Sequence, residues 1–293
     1  MRGRYRLAAP FVLALVLLPE GEVRPAAAAS QVPRFTSAVE TVRVDVLVTV
    51  GGKPVRGLQA SDFELSDNGV LQTVNFAAFE QPLNVILALD MSGSVAGARL
   101  ADLQRASRMV LDGLRRGDRV ALVTFSHLVV LAADLTADIA GVGSAVDRLT
   151  GRGDTALVDG AYSALILGEQ DAGRSLIMVF SDGLDTSSWL TPDAVVSIAR
   201  RSDVVAYAVS TGGAIPPFLR DLAETTGGRS IDVSSTKTLS DTFVGILEEF
   251  RGRYVLGFTP QGTGHGDGWH RLQVRVKGRS VSVKARPGYD AGR

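Results

Sequence analysis

Length, composition and charge set the first limits on this chain. Its 293 residues exceed a typical single domain, so we expect about two domains. The 31 basic residues equal the 31 acidic residues in number, which gives no electrostatic basis for binding nucleic acid or a membrane surface. Hydrophobic residues make up 45% of the chain and charged residues 21%, as in folded globular proteins. The absence of cysteine excludes disulfides, a lipoprotein anchor and a thiol nucleophile.

The amino terminus has the pattern of a secretory signal. Three arginines near the start precede an apolar stretch at 7–18 and an alanine-rich zone at 26–29, so we expect cleavage after Ala29. The apolar stretch is shorter than the roughly 20 residues that a helix needs to cross a bilayer. We therefore predict that residues 1–29 are a signal peptide. The mature protein is then exported, periplasmic or extracellular, without an integral span; an uncleaved signal would tether it instead.

Short β-strands are predicted on both sides of a central region. Between Thr41 and Val50, valines alternate with polar residues, which is the two-residue period of a half-buried strand. The turn sequence Asp67-Asn68-Gly69 predicts a hairpin between strands at 63–65 and 73–76. Near the carboxyl end, the same alternation predicts strands at 253–259, 271–277 and 280–285.

None of these short β segments can bury a core alone. We therefore predict that residues 30–80 and 252–293 pack together as one small β-sandwich-like domain. The central residues 81–251 are predicted to form a separate domain inserted between them. The alternative is that the two segments decorate the central sheet independently, since the termini of a domain often lie close together.

The central region alternates strands with helices. Apolar runs predict buried strands at 83–89, 120–125, 176–180, 204–209 and 229–233. A tight turn at Ser126-His127 predicts that 128–132 pairs antiparallel as an edge strand. Apolar residues at helical spacing fill the segments between, including 95–114 and 236–250. The fold class is therefore α/β, with a doubly wound, mostly parallel, Rossmann-like sheet and helices on both faces.

Five oxygen-bearing side chains follow these predicted elements. They come from loops after two strands and from the start of the predicted helix 156–167: Asp90, Ser92, Ser94, Thr155 and Asp182. In an open α/β sheet, ligands bind at the carboxyl ends of the strands, so we expect these side chains to converge. Two carboxylates and three hydroxyls suit Mg²⁺ or Mn²⁺. Taken alone, Thr155 is better explained as a helix cap, and only the other four residues favour metal binding.

Asp90-Met91-Ser92-Gly93-Ser94, Thr155 and Ser181-Asp182-Gly183 together resemble the metal-ion-dependent adhesion site (MIDAS) of von Willebrand factor type A (VWFA) domains. The resemblance covers about 81–251, and the flanking segments are similar to those of bacterial secreted VWFA-related proteins. It implies a non-enzymatic module for adhesion or protein binding. Asp90, Ser92, Ser94, Thr155 and Asp182 would hold Mg²⁺ or Mn²⁺ in it, and an Asp or Glu carboxylate of a protein partner would complete the coordination.

Several other polar residues have simpler structural interpretations. Arg152-Gly153-Asp154 matches a cell-adhesion tripeptide but directly precedes Thr155 in the ligand loop. We interpret the remaining candidates as loop, turn, capping or solvated residues, not as metal ligands: Asp118, His127, Asp134, Asp185, His265, Asp267 and His270.

An enzymatic alternative is a metal-dependent phosphoester hydrolase. Asp90 after a buried strand is superficially similar to the nucleophile of haloacid dehalogenase-type phosphatases, but Ser92 stands where their second Asp is required. The three histidines lie outside the predicted metal loops, and there is no Gly-x-Ser-x-Gly elbow or phosphate loop. We therefore expect no enzymatic activity. A third possibility is a structural envelope component with an idle site.

Overall fold

The first part of the chain that the structure describes consists of β-strands and one 3₁₀ turn at Ala60–Asp62. The structure is a computed structural model, and it describes residues 41–79, 81–171, 173–211, 213–263 and 268–291. The proposed signal peptide, His265 and Asp267 lie outside these residues. The strands of the first segment are β1 (Val42–Val50), β2 (Lys53–Pro54), β3 (Phe63–Asp67), β4 (Val70–Gln72) and β5 (Val74–Phe79).

The central segment alternates strands and helices in the predicted order. Its elements are β6 (Leu83–Asp90), α1 (Ala98–Asp112), β7 (Arg119–Phe125), β8 (Val129–Thr136), α2 (Ile139–Asp147), α3 (Leu157–Glu169), β9 (Arg174–Ser181), α4 (Pro192–Ala199), β10 (Val205–Thr211), α5 (Pro217–Thr225), β11 (Ser230–Val233) and α6 (Leu239–Arg251). In the described part of the chain they form a six-stranded sheet in the order β11-β10-β9-β6-β7-β8. All neighbours are parallel except β8, which pairs antiparallel with β7 at the edge. The predicted doubly wound α/β fold is confirmed.

Both faces of this sheet are covered by helices. Val85, Leu87 and Leu89 of β6 pack in one cluster with apolar residues of α1, α2 and α6. Ile86 and Ala88 point the opposite way, into a second cluster with α3, α4 and α5. Successive side chains of a strand alternate between the two faces, so a strand covered on both sides is apolar throughout.

The strand order places a topological switch at the centre of the sheet. The chain passes from β6 to β7 on one side, whereas β9, on the other side of β6, is reached only later. Ligand sites of open α/β sheets lie in the crevice that such a reversal opens at the carboxyl ends of the strands. Here that crevice lies between Asp90, the last residue of β6, and Ser181, the last residue of β9.

The last segment adds β12 (Tyr254–Phe258), β13 (Trp269–Val276), β14 (Ser282–Lys284) and β15 (Gly288–Asp290). These strands pair with those of the first segment in two antiparallel sheets. One has the order β14-β1-β12-β5, with β2 paired to β1, and the other has the order β15-β13-β3-β4. Valines of β1, leucines of β3 and β13, and aromatic residues of β12 share one apolar cluster. The amino- and carboxyl-terminal segments thus build antiparallel sheets together, although the domain bounds given above remain a prediction.

The predicted hairpin is wrong in its second strand. Asn68 (φ 49°) and Gly69 (φ 83°) form the turn, but they join β3 to β4 and not to residues 73–76. Two successive residues with positive φ make a tight turn that pairs Asp67 with Val70. β4 is only three residues long, and the chain then leaves as β5 to pair with β12 in the other sheet.

No helix within the described ranges is long and apolar enough to cross a membrane.

Candidate metal centre

Asp90 lies at the base of the candidate centre, and its carboxylate is buried. Oδ1 accepts a hydrogen bond from the backbone N–H of Ser92 at 2.8 Å, and Oδ2 accepts one from the hydroxyl of Ser181 at 2.7 Å. Burial raises the pKa of the Asp90 carboxyl, and these hydrogen bonds, which favour the ionised form, offset that rise only in part. A bound cation would stabilise the ionised form of this buried carboxyl group.

A chain of hydroxyl contacts runs from Ser92 to Asp182. The hydroxyl oxygens of Ser92 and Ser94 are 3.0 Å apart, and the Ser94 hydroxyl donates to Asp182 Oδ1 at 2.6 Å. These side chains come from loops that are 88 positions apart in the sequence. The structure therefore brings the two serines and the second carboxylate together at the crevice, as the sequence predicted.

The loop after β6 turns more tightly than we expected. Gly93–Val95 forms a 3₁₀ turn, and Gly97 takes a positive φ of 71° before α1 begins at Ala98. The prediction that the helix starts near Val95 is therefore wrong by three residues. Ser92 is the N-cap of this turn and Ser94 lies within it.

Thr155 reaches the same crevice from the loop before α3. This loop is fastened to the serine loop by two backbone hydrogen bonds, from Gly93 N to Gly153 O at 3.0 Å and from Arg152 N to Met91 O at 2.7 Å. The Thr155 hydroxyl faces Gly183, where an added Cβ would lie 4.0 Å from it. Thr155 thus lies next to the residue that follows Asp182.

Thr155 does not cap the helix, so the structure does not support the capping role that this residue suggests when it is taken alone. The N-cap position belongs to Ala156. The backbone N–H groups of Val158 and Asp159, in the first turn of α3, donate to side chains of the loop after β9. Among the described residues, the Thr155 hydroxyl has no hydrogen-bond partner, while its backbone N–H and carbonyl both bond to Thr186. Its side-chain oxygen is consequently left available to a ligand.

The loop from Asp182 to Leu190 is tied to α3 by carboxylates. Asp185 accepts from Val158 N at 3.2 Å, which fits the prediction that Asp185 has a capping role. In the other direction, Asp159 accepts from the backbone N–H groups of Trp189 and Leu190, each at 2.9 Å. Asp159 was not predicted from the sequence, although an acidic residue in the first turn of a helix indicates a role at that helix end.

A cation from the protein itself also faces the centre. Arg99 Nη1 lies 2.7 Å from Asp182 Oδ2 and 3.3 Å from the backbone oxygen of Ser94. The Arg99 side chain is 54% exposed, whereas that of Asp182 is 1% exposed. Arg99 was not predicted from the sequence, and Ser181 entered only as the residue before Asp182 in the motif, without a role of its own.

The remaining candidates lie as follows. His127 is exposed in the turn between β7 and β8, and Arg152 and Asp154 are exposed beside the ligand loop. His270 is not in a loop but on β13, buried and hydrogen-bonded to Asp67 at 2.9 Å. Asp118 is buried and not solvated; it accepts from the backbone N–H groups of Leu83 and Arg115, and it also forms an ion pair with Arg251.

The donor set fits a hard divalent cation. Carboxylate and hydroxyl oxygens are the ligands that Mg²⁺ and Mn²⁺ prefer, and neither histidine nor cysteine contributes to the centre. In the described part of the chain, no three residues of the types His, Cys, Asp and Glu cluster as a metal site. Ligation here would thus depend on serine and threonine hydroxyls for most of its protein ligands.

The mostly parallel α/β sheet is covered by helices on both faces. Its switch point holds a hydroxyl-rich crevice with one carboxylate from each of two neighbouring strand ends. These features define the type A domain class. Residues 84–244 match the family model of the von Willebrand factor type A domain. The chain belongs to the von Willebrand factor type A domain family.

Solved structures agree with this fold. A von Willebrand factor type A protein from Catenulispora acidiphila is 16% identical, with a TM-score of 0.56, and the match covers 83% of this chain and 76% of that one. Proximal thread matrix protein 1 from the mussel byssus, solved with a zinc-occupied MIDAS motif, is 19% identical, with a TM-score of 0.52. That match covers 61% of this chain and 48% of the mussel protein.

One curated relative is the uncharacterized protein sll0103 of Synechocystis sp. It is 33% identical to this chain over 110 residues, which is 35% of this chain. The chain matches only 25% of the length of that relative.

Proposed function

We propose that this protein is a metal-ion-dependent binding module that captures an acidic residue of a protein partner. Asp90, Ser92, Ser94, Thr155 and Asp182 are its metal ligands, for Mg²⁺ or Mn²⁺. Membership of a family whose domains are commonly adhesion or protein-binding modules supports this assignment. The observation that carries it is the continuous series of contacts from Asp90 through Ser92 and Ser94 to Asp182, made across two separate loops.

The residues of the centre favour binding over catalysis. The bound cation would supply a Lewis-acidic position for the partner's Asp or Glu carboxylate. Because hydroxyls provide three of the five donors, the protein contributes little negative charge to neutralise such a cation. Asp90 is oriented by Ser92 and Ser181, so the base of the site is already arranged before a ligand arrives. Both carboxylates among the five are assigned to the metal, which leaves neither of them to act as a general base. We propose that the protein is not an enzyme.

The amino-terminal pattern places the protein outside the cytoplasm in this proposal. The module would be periplasmic or extracellular after cleavage at Ala29, or tethered if the signal stays. Its partner would be a protein of the envelope or of a neighbouring surface. Neither a nucleic acid nor an integral span is part of the proposal.

Calorimetry with Mg²⁺ and with Mn²⁺ tests the metal site. We expect binding heat with the wild-type protein and none with Asp90→Asn, which preserves the shape of the buried side chain and removes its charge. Asp193→Asn is the matched control, because Asp193 is an exposed aspartate of α4 and should leave binding unchanged. Absence of heat both in the wild type and in a variant without the charge of Arg99, which contacts Asp182, would refute the assignment.

Capture experiments test the partner. Envelope proteins should be retained only with Mg²⁺ or Mn²⁺ and released by a chelator, and replacing the contacting acid of the captured partner should abolish retention. Retention that survives both the chelator and Asp90→Asn would indicate a structural envelope component. Metal-dependent turnover of a phosphoester that is lost in Asp90→Asn would indicate the hydrolase instead.

A further inference from the structure

We propose that Arg99 is a built-in competitor of the divalent cation at Asp182, so that it sets how tightly the centre takes its ion. This inference rests on the proposed metal site. It adds a residue outside the five ligands that weakens cation binding.

The geometry places a permanent positive charge against a ligand carboxylate. The Arg99 guanidinium donates to Asp182 Oδ2 at 2.7 Å, while the other carboxylate oxygen accepts from Ser94. Both oxygens of Asp182 are therefore engaged within the protein. A cation that approaches Asp182 must either displace the guanidinium or bind beside it.

The position of Arg99 in its helix supports a role at the site. Arg99 is the second residue of α1, where the positive end of the helix dipole disfavours a cation. The helix itself thus gives no electrostatic reason for an arginine there. The contacts with Asp182 and with the backbone oxygen of Ser94 account for it.

The charges at the centre explain the consequence. Asp90 and Asp182 carry two negative charges, and Arg99 cancels one of them. A divalent cation added to these groups leaves one positive charge in excess, which a partner's carboxylate would neutralise. Cation and partner would therefore strengthen the binding of each other, and the coupling is reciprocal by thermodynamic linkage.

The difference in exposure makes release of Arg99 feasible. Asp182 is fixed, with a side chain 1% exposed, but Arg99 is 54% exposed and can return to water. An arginine that leaves competes with the cation for the carboxylate, and one that stays repels it. Arg99 therefore lowers the affinity for the cation whether it leaves Asp182 or stays, and its removal should raise that affinity in both cases.

Metal titrations of charge variants test the proposal. Mg²⁺ and Mn²⁺ are titrated separately into the purified wild-type protein, Arg99→Gln and Arg99→Lys at low ionic strength. Arg99→Gln should bind either cation on the order of tenfold more tightly, and the gain should shrink at high salt because the charge is half exposed. Arg99→Lys keeps the charge and should stay close to wild type.

Arg105→Gln is the matched control. Arg105 lies on the same helix, has a side chain that is 61% exposed and pairs with Asp102, away from the centre. Its removal changes the net charge equally, and we expect less than about a twofold change in cation affinity. Arg99→Met provides a second neutral variant if Arg99→Gln folds poorly.

The outcomes separate this inference from the proposed function. If wild type binds and Arg99→Gln binds equally or more weakly, Arg99 only positions Asp182 and the inference is overturned while the metal site stands. If wild type gives no heat but Arg99→Gln does, the competition is supported. If neither binds, both the inference and the metal site are refuted.

Discussion

Ser181 donates a hydrogen bond to Asp90 across 2.7 Å and so joins the ends of β9 and β6 at the candidate metal centre. Both side chains are fully buried, so water cannot replace this bond easily. The Ser181 hydroxyl also accepts a hydrogen bond from the backbone N–H of Gly183 at 3.3 Å, which links Asp90 to the loop that begins at Asp182.

Removing this hydroxyl should weaken the centre more than the fold. We expect Ser181→Ala to lower cation affinity several-fold, because Asp90 loses the contact that orients its carboxylate, and to cost about 1 kcal/mol of unfolding free energy. Ser175→Ala is the control, since Ser175 is a buried serine of the same strand whose hydroxyl bonds to Gly168. Urea unfolding should show similar stability losses for both variants. Calorimetry should show a loss of cation affinity only in Ser181→Ala.

Asp159 should control the order of the loop 182–190. Asp159→Ala removes the acceptor of two backbone N–H groups, and we expect faster hydrogen exchange at Trp189 and Leu190 together with weaker cation binding. The stability loss should be about 2 kcal/mol. Asp193→Ala, in the first turn of α4, should leave exchange in the loop unchanged. Equal exchange rates in both variants would contradict this role.

The buried pair of Asp118 and Arg251 should make stability depend on pH. Burial raises the pKa of the Asp118 carboxyl, but the Arg251 guanidinium and the backbone N–H groups of Arg115 and Leu83 together bring it below its ordinary value. A lowered pKa in the folded state stabilises the protein above the ordinary pKa of an aspartate, and this contribution is lost as the pH falls through the lowered value.

Urea unfolding between pH 7 and pH 3 measures this dependence. Asp118→Asn should cost about 3 kcal/mol near pH 7, because Arg251 keeps its buried charge without a partner. The difference between variant and wild type should diminish as the pH falls below the ordinary pKa of an aspartate, because the unfolded wild-type protein then binds a proton at Asp118 more readily than the folded protein does. A difference that stays constant over this range would exclude the ion pair as its cause.

The ion pair between Asp45 and Arg174 joins a β-strand of the antiparallel sheets to the α/β sheet and should contribute to the unfolding free energy. Asp45 lies on β1 and Arg174 opens β9, and Arg174 Nε donates to the Asp45 carboxylate at 2.8 Å in a buried setting. Asp45→Ala should cost about 3–5 kcal/mol, since it leaves the guanidinium buried and unpaired. Asp147→Ala breaks an exposed pair with Arg108 and should cost less than about 1 kcal/mol. Thermal unfolding of the two variants provides the comparison.

The order of the central elements could be predicted because burial is visible in the sequence. Strands covered on both faces are continuous apolar runs, as in 83–89, and the flanking helices repeat apolar residues every three or four positions. The ligand loops follow from the same logic, since the ends of parallel strands meet at one edge. Asp90, Ser92, Ser94 and Asp182 were therefore placed together correctly.

The errors arose where partners lie far apart in the sequence. Asp118 was interpreted as a solvated or capping residue because its partner, Arg251, is 133 positions away and leaves no local trace. Taken alone, Thr155 suggested a cap because a hydroxyl before a helix usually has that role, whereas here the loop after β9 supplies the bonding groups. The hairpin prediction was wrong because β5 pairs with β12, which is distant in the sequence, and not with β3.

Trp189, which is 95% exposed on the loop next to the candidate centre, gives the protein an intrinsic optical reporter. The chain has 2 tryptophans, and the other, Trp269, lies on β13 with the Arg200 guanidinium 5.4 Å from the centre of its ring. Trp269→Phe would leave a single emitting indole beside the crevice. Its emission maximum and its quenching by iodide would then register the arrival of a macromolecule at that surface without any attached dye.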